Sequence, residues 1–87
     1  MNFGEAIEAT KRGERVQRAG WNGVGMWVAL QVPDERSKMR RPYLYMSDAQ
    51  GALVPWLASQ TDMLADDWRV VCVGSANDLP QMQKEVV

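Results

Sequence analysis

The sequence predicts an α+β domain: a small antiparallel sheet of about four to five strands, an N-terminal helix, and a second short helix before the last strand. Capping patterns followed by apolar residues at helical spacing indicate the two helices. Short runs of apolar or alternating residues, separated by turn-forming residues, indicate the strands. No run approaches the roughly 20 apolar residues of a membrane span.

The first helix is predicted over Phe3–Arg12. Asn2 is a suitable N-cap, and Glu5, three residues later, completes a capping-box pattern. Basic residues occupy the last turn, where cations favour the helix dipole, and Gly13 follows as a left-handed terminator.

The strands are recognised by their alternation and their bounding turns. In the second of them, Val28 faces one way and Trp27 the other, so Trp27 is expected to emerge opposite the core. The last strand is apolar at nearly every position, which predicts a central strand or one at an interface. The five predicted strands are 15–18, 26–32, 43–47, 52–55 and 68–73.

The 87 residues form one predicted domain, with a core at 1–73, a charged mobile loop at 34–41 and a flexible tail at 74–87. A chain of this length buries only about 60–65% of its unfolded surface, so a lone monomer would be marginal. Association between subunits is therefore expected.

Composition excludes several classes of function. The net charge of −1 gives no general attraction to long nucleic acid. Without histidine, and with Cys72 as the single cysteine, one subunit cannot form a His/Cys zinc site, an intrachain disulfide or a histidine-based catalytic centre. An unpaired cysteine and the missing signal-peptide pattern predict a cytoplasmic protein.

The segment from Ser59 to Ala65 predicts a capped helical turn, because Ser59 and Asp62 form a second capping-box pattern. Gln60 and Thr61 add an amide and a hydroxyl beside the N–H groups of a helix start, where anions bind well. A tryptophan stands on either side of the segment. Together these features indicate a small-ligand site.

A glycine-framed loop carries Trp21 and Asn22, an indole and an amide that suit a purine base. A tight turn whose tryptophan covers the core is slightly favoured on residues alone. Trp27 requires cover by a ligand, a loop or another subunit. Arg18 has two readings, a phosphate contact or a solvated strand edge. No nucleophile–base pair and no phosphate-binding glycine motif is present, so the sequence predicts a non-catalytic protein.

Several blocks in combination resemble a phage and prophage family, long classed as a domain of unknown function and now associated with the second type of Thoeris anti-defence protein. The resemblance extends from Asn2 to about Val73. The blocks are NFGEA at 2–6, RAGWNG at 18–23, MW at 26–27, VPW at 54–56, SQTDMLA at 59–65 and DW at 67–68.

This resemblance implies a non-catalytic sponge that acts in the bacterial host cytoplasm without a cofactor. Such proteins capture cyclic ADP-ribose-type immune signals, so the Thoeris effector is not activated. Members resemble small α+β subunits assembled as homotetramers, with ligand pockets between protomers. Some also hold cyclic oligonucleotides at a separate site.

The resemblance also implies a set of ligand-binding positions. The RAGWNG and MW blocks would supply base stacking and polar contacts, and the SQTDMLA block would contact ribose, base and phosphate around the helix start. The implied residues are Phe3, Arg18, Trp21, Asn22, Trp27, Gln60, Thr61, Asp62 and Met63.

Other functions compete with the sponge. A protein-interaction module could inhibit a host defence enzyme through the Trp27 face. Single-strand nucleic-acid binding is disfavoured by the near-neutral charge, and a cyclic-nucleotide lyase or hydrolase by the missing acid–base pair.

Overall fold

The computed structural model describes residues 1–22 and 25–71. It confirms the predicted α+β class, with an N-terminal helix, a five-stranded antiparallel sheet and a short second helix before the last strand. The predicted tail at 74–87 lies outside the described residues, as does the end of the predicted last strand. The elements are α1 (Phe3–Lys11), β1 (Arg15–Arg18), β2 (Trp27–Gln31), β3 (Tyr43–Ser47), β4 (Leu53–Pro55), α2 (Gln60–Leu64) and β5 (Trp68–Val71).

Helix α1 begins and ends through the predicted chemistry. The Glu5 N–H donates to the Asn2 side chain and the Asn2 N–H donates to the Glu5 carboxylate, both at 2.8 Å. Arg12, predicted as the last helical residue, is instead the C-cap, and Gly13 follows with φ +91°. Neither described helix has the length and apolar composition needed to cross a membrane.

The sheet has the strand order β4-β3-β2-β1-β5. Strands β1 to β4 follow one another as neighbours, whereas β5 returns past α2 to pair with β1 at the opposite edge. Of the two places predicted for the last strand, the central one is wrong, because among the described strands β5 pairs with β1 alone. Its place at an interface stays a prediction. The β1–β5 register sets Arg18 opposite Trp68 and Gln17 opposite Arg69.

The core lies between α1 and one face of the sheet. Val16 pairs with Val28, and Val28 with Met46, so one apolar row crosses the three central strands. Ala6 and Ala9 of α1 are fully buried, and their small side chains let the helix approach this row closely. The core therefore fixes the side of the sheet on which each strand residue stands.

The other sheet face carries Trp27, as the alternation in β2 predicts. Its ring packs edge-on against Tyr45 at 5.8 Å, and the Arg15 guanidinium stands 4.0 Å from the indole centroid. Trp27 is half-buried by these neighbours. In the part of the chain that the structure describes, both helices pack elsewhere, so this face is left uncovered by helix.

The segment at 34–41 contains a local turn around Asp34. Its carboxylate accepts the Arg36 N–H at 2.9 Å and the Ser37 hydroxyl at 3.2 Å, and the Asp34 N–H donates to the same hydroxyl. These bonds define the fold of the turn. The mobility of the segment stays a prediction.

Candidate functional site

Four aromatic rings meet where α1, α2 and the sheet converge. Trp68 is 2% exposed, and Phe3 and Trp21 lie 5.6 Å and 5.3 Å from it, centroid to centroid. Trp56 closes the group at 6.4 Å from Trp21. Trp68 is thus part of the core and offers no surface to a ligand, whereas Trp21 is half-buried and retains an accessible surface.

Asp62 connects α2 to the loop that carries Trp21. One carboxylate oxygen accepts from the Arg18 guanidinium at 3.0 Å and from the Trp21 indole N–H at 3.3 Å. The other accepts the Ser59 N–H, which completes the predicted capping box. The Asp62 carbonyl accepts the Trp68 indole N–H at 2.9 Å. Asp62 therefore bonds to four residues that shape this region: Arg18, Trp21, Ser59 and Trp68.

Asp67 holds the same loop from the other side. Its carboxylate accepts Arg18 Nε at 2.8 Å through one oxygen and the Gly20 N–H at 2.9 Å through the other. Its carbonyl accepts the Ala19 N–H at 3.0 Å. The backbone that leads into Trp21 is thereby fixed to the start of β5.

These contacts keep both carboxylates ionised. Burial opposes the charge on Asp62, but hydrogen bonds from Arg18, Ser59 and Trp21 outweigh it and hold its pKa below the usual range. The hydrogen bond from Arg18 is the main reason why the pKa of Asp67 is also lowered. The pKa of Arg18 is raised in turn, chiefly by Asp67 and then by Asp62. At neutral pH neither carboxyl group carries a proton for general acid chemistry.

An open groove of about 400 Å³ lies beside this network. Trp21 offers an indole to it, Asn22 is exposed, and Arg18 contributes a side chain that is already paired with its two carboxylates. Three of the predicted ligand-binding residues therefore share one cavity. Its lining residues are Gln17, Arg18, Ala19, Trp21, Asn22, Gly25 and Arg69.

The SQTDMLA block at 59–65 contains α2, which is five residues long. Gln60 and Thr61 are exposed in its first turn, and Met63 is 44% exposed. Asp62 places a negative charge at the same helix start, which opposes the anion binding expected there. Contacts from Gln60 and Thr61 to ribose or base suit this geometry better than contacts to phosphate, and all of them stay predictions.

Two of the predicted positions do not line the groove. Phe3 packs on Trp56 and Trp68 in the aromatic group, beneath the site. Trp27 packs on Tyr45, on the sheet face opposite the core, where Gln17 is its cross-strand neighbour. Trp27 therefore stands next to a groove residue without lining the groove itself.

Sequence reasoning missed three residues of this region. Asp67 belongs to the DW block of the family resemblance but was assigned no role, and Gln17 and Arg69 belong to no block. All three enter the site through the pairing of β1 with β5, residues about 50 positions apart in the chain. For Asp67, the signal in the sequence was its place in the DW block.

Comparison with known proteins places the chain in a family. A family model described as Tad2-like, the Thoeris anti-defense 2-like domain, matches residues 1–71. The chain is 34% identical over 84 residues to the protein named Thoeris anti-defense 2 of Bacillus phage SP01, an alignment that covers 82% of this chain and 94% of that protein. The protein is a member of the Thoeris anti-defence 2-like family, as its sequence blocks predicted.

Proposed function

We propose that this protein binds a cyclic ADP-ribose-type signal and sequesters it without chemical change, so that the Thoeris effector stays inactive. The proposal rests on one observation above all. In a chain of this family, the half-buried Trp21 lies beside a groove and is held there by Asp62. A fixed indole face beside polar side chains suits the stacking of a base, worth roughly 1–3 kcal/mol.

Capture rather than turnover is supported by the state of the charged groups. Asp62 and Asp67 are both bonded to Arg18, so the site offers a stable ion network and no poised proton donor. Because the network also fixes the Trp21 loop before the ligand arrives, little ordering entropy is lost on binding. Tight stoichiometric binding is the property that a sponge requires.

We further propose that the complete site lies between subunits of a homo-oligomer, with a tetramer as the expected assembly. Ligand sites usually occupy about 300–1,000 Å³, and the open groove of one subunit is about 400 Å³. Large apolar side chains are also exposed, including Leu64 of α2 at 84%, Leu57 just before α2 at 92% and Leu53 of β4 at 63%. Contact between subunits would cover them and enclose the ligand.

The proposed place of action is the host cytoplasm, where the signal is made. A separate site for cyclic oligonucleotides, expected for some members, would use a different surface. Competition between a cyclic oligonucleotide and a cyclic ADP-ribose isomer distinguishes one site from two, because two independent sites bind both ligands at once.

The central experiment is a capture assay. Purified protein is mixed with each of several cyclic ADP-ribose isomers and filtered, and the free nucleotide is measured. We expect stoichiometric depletion of at least one isomer, and heating of the complex should return that nucleotide unchanged. Release of a hydrolysed product would make the protein an enzyme and overturn the proposal.

Exposed residues of α2 give the sharpest variants, because their removal leaves the network intact. Gln60→Ala and Thr61→Ala should each weaken capture, whereas Gln50→Ala, at another exposed glutamine in the β3–β4 turn, should not. If all three variants capture the ligand as well as the wild type does, Gln60 and Thr61 do not contribute to the site.

The alternative function is a protein-interaction module that inhibits a host defence enzyme by contact. The uncovered sheet face with Trp27, Tyr45 and Arg15 favours it, because aromatic and arginine side chains dominate binding at protein interfaces. A stoichiometric complex with a Thoeris enzyme that is lost in Trp27→Ala, together with no nucleotide capture, would support this function instead.

A further inference from the structure

The groove beside Trp21 contains two guanidinium groups. They differ in their hydrogen-bond partners, which are carboxylates for one and an uncharged amide for the other. Arg18 and Arg69 both line it. A ligand with a diphosphate needs cationic donors, and guanidinium groups suit phosphate because they offer two parallel N–H donors. The identity of the arginine that is available for this contact therefore decides where the phosphates lie.

Arg18 is already committed. It pairs with Asp62 and Asp67 at 3.0 Å and 2.8 Å, and its side chain is only 18% exposed. The three side chains together carry a net charge of −1. A phosphate beside Arg18 would meet two carboxylates, so Arg18 organises the loop rather than attracting an anion.

The guanidinium of Arg69 is held in position by a neutral side chain. Its Nε donates to the Gln17 side-chain carbonyl at 2.9 Å, and the Gln17 amide donates to the Met26 carbonyl at 2.8 Å. Gln17 is thus fixed at both ends and orients the guanidinium through a neutral contact. Over residues 1–22 and 25–71, Arg69 forms no ion pair, and its side chain is exposed to solvent.

Among the described residues, Gln17 alone accepts from the Arg69 side chain, through Nε, so the two terminal nitrogens can donate to a ligand. The acceptor on Nε is an uncharged amide, so this contact does not compensate the positive charge of the guanidinium. Arg69 is a cross-strand neighbour of Gln17 in the β1–β5 pair, so its position is set by the sheet rather than by a loop.

We propose that Arg69 is the phosphate-binding residue of the groove, with Gln17 as its positioning residue, and that the ligand is a nucleotide diphosphate whose base lies on Trp21. This inference rests on the proposed capture of a cyclic ADP-ribose-type signal. It assigns the phosphate contact to Arg69, a position outside the family blocks.

The test measures the affinity of the purified protein for the cyclic ADP-ribose isomer that it captures. Arg69→Ala should weaken binding roughly 10- to 100-fold, as expected for loss of charge-assisted hydrogen bonds, and Arg69→Lys should lose less. Arg40→Ala removes the same charge from an exposed position outside the groove and should bind as the wild type does.

Two further measurements separate a phosphate contact from a structural effect. The affinity of Arg69→Ala should depend less steeply on salt than that of the wild type, because one ionic contact is gone. Inorganic pyrophosphate should compete with the nucleotide for the wild type and compete less well for the variant. Melting temperatures should agree among the variants, because Arg69 is exposed.

Gln17 is tested through a double-mutant cycle. Gln17→Ala should weaken binding several-fold in the wild type but have little further effect in Arg69→Ala, because Gln17 acts through Arg69. Equal effects in both backgrounds would remove its positioning role.

The outcomes distinguish this inference from the proposed function. If the wild type captures an isomer and Arg69→Ala binds it equally well with an unchanged salt dependence, the assignment of Arg69 is overturned and the sponge stands. If the wild type captures no isomer, the proposed function fails, and this inference fails with it.

Discussion

Arg18, the last residue of β1, is bonded to Asp67, the residue just before β5, at the point where the loop of Trp21 leaves β1. Arg18 Nε donates to one carboxylate oxygen of Asp67 at 2.8 Å, while the other oxygen accepts the Gly20 N–H at 2.9 Å. One carboxylate therefore fixes both the last residue of β1 and the backbone after it. The position of the Trp21 indole depends on this contact.

Removal of the shared cation should destabilise the fold. Arg18→Met leaves Asp62 and Asp67 without their common partner, so two partly buried carboxylates lose their charge compensation. We expect a clearly lower melting temperature and weaker ligand capture. Arg12→Met removes an exposed pair with Glu14 and should change the melting temperature little. Equal melting temperatures for the two variants would contradict the structural role of Arg18.

Stability should fall in acid because of the same network. The folded-state pKa values of Asp62 and Asp67 are lowered, so their contribution is complete above the unfolded pKa of about 3.9. It is lost as the pH falls below that value through the folded pKa values. Melting temperatures between pH 6 and 2 should decline less steeply for Asp67→Asn than for the wild type. Parallel curves would exclude Asp67 from the acid transition.

A substitution at Gly20 tests how closely the loop of Trp21 packs against Asp67. A Cβ at Gly20 would stand 3.0 Å from the Asp67 carboxylate, which Arg18 holds in place, so Gly20→Ala should displace that oxygen. Ligand capture should weaken modestly, and the melting temperature should decrease. Gly4→Ala is the matched control, because its Cβ finds ordinary space in α1 and should stabilise the helix by roughly 0.5–1 kcal/mol. A fully active Gly20→Ala protein would show that the loop adapts.

The two tryptophans bonded to Asp62 should respond differently to replacement by phenylalanine. Trp68 is 2% exposed and donates to the Asp62 carbonyl, so Trp68→Phe should lower the free energy of unfolding by about 2–4 kcal/mol. Trp21→Phe should retain most of the stability but reduce nucleotide affinity. Chemical denaturation and binding assays on both proteins check this. A stable Trp68→Phe protein with weak binding would reverse the two roles.

Much of the fold follows from local patterns. The capping boxes at Asn2 and Ser59 locate both helix starts, because each depends on residues three positions apart. Alternation in β2 places Val28 in the core and Trp27 on the other face, and the structure confirms it. The apolar composition of β5 indicated a central strand or one at an interface. The central place is wrong, because composition reports on burial and contact without specifying the strand order.

The candidate site was predictable in part. Trp21, Asn22 and Asp62 were singled out in advance, and the structure brings Trp21 and Asp62 into contact. The role of Asp62 was incompletely predicted, because its capping position was visible but its bonds to Arg18 and Trp21 span more than 40 residues. Asp67 was missed for the same reason.

By itself the sequence determined the class of fold, the helix starts, the inward and outward faces of β2 and the family, since these depend on neighbours along the chain or on short blocks. Only the tertiary structure decided that β5 pairs with β1, and with it that Arg18 is neutralised by two carboxylates while Arg69 is held by Gln17. The physical reason is that strand order and register are set by packing over the whole sheet, and the charge of a site depends on which side chains that packing brings together.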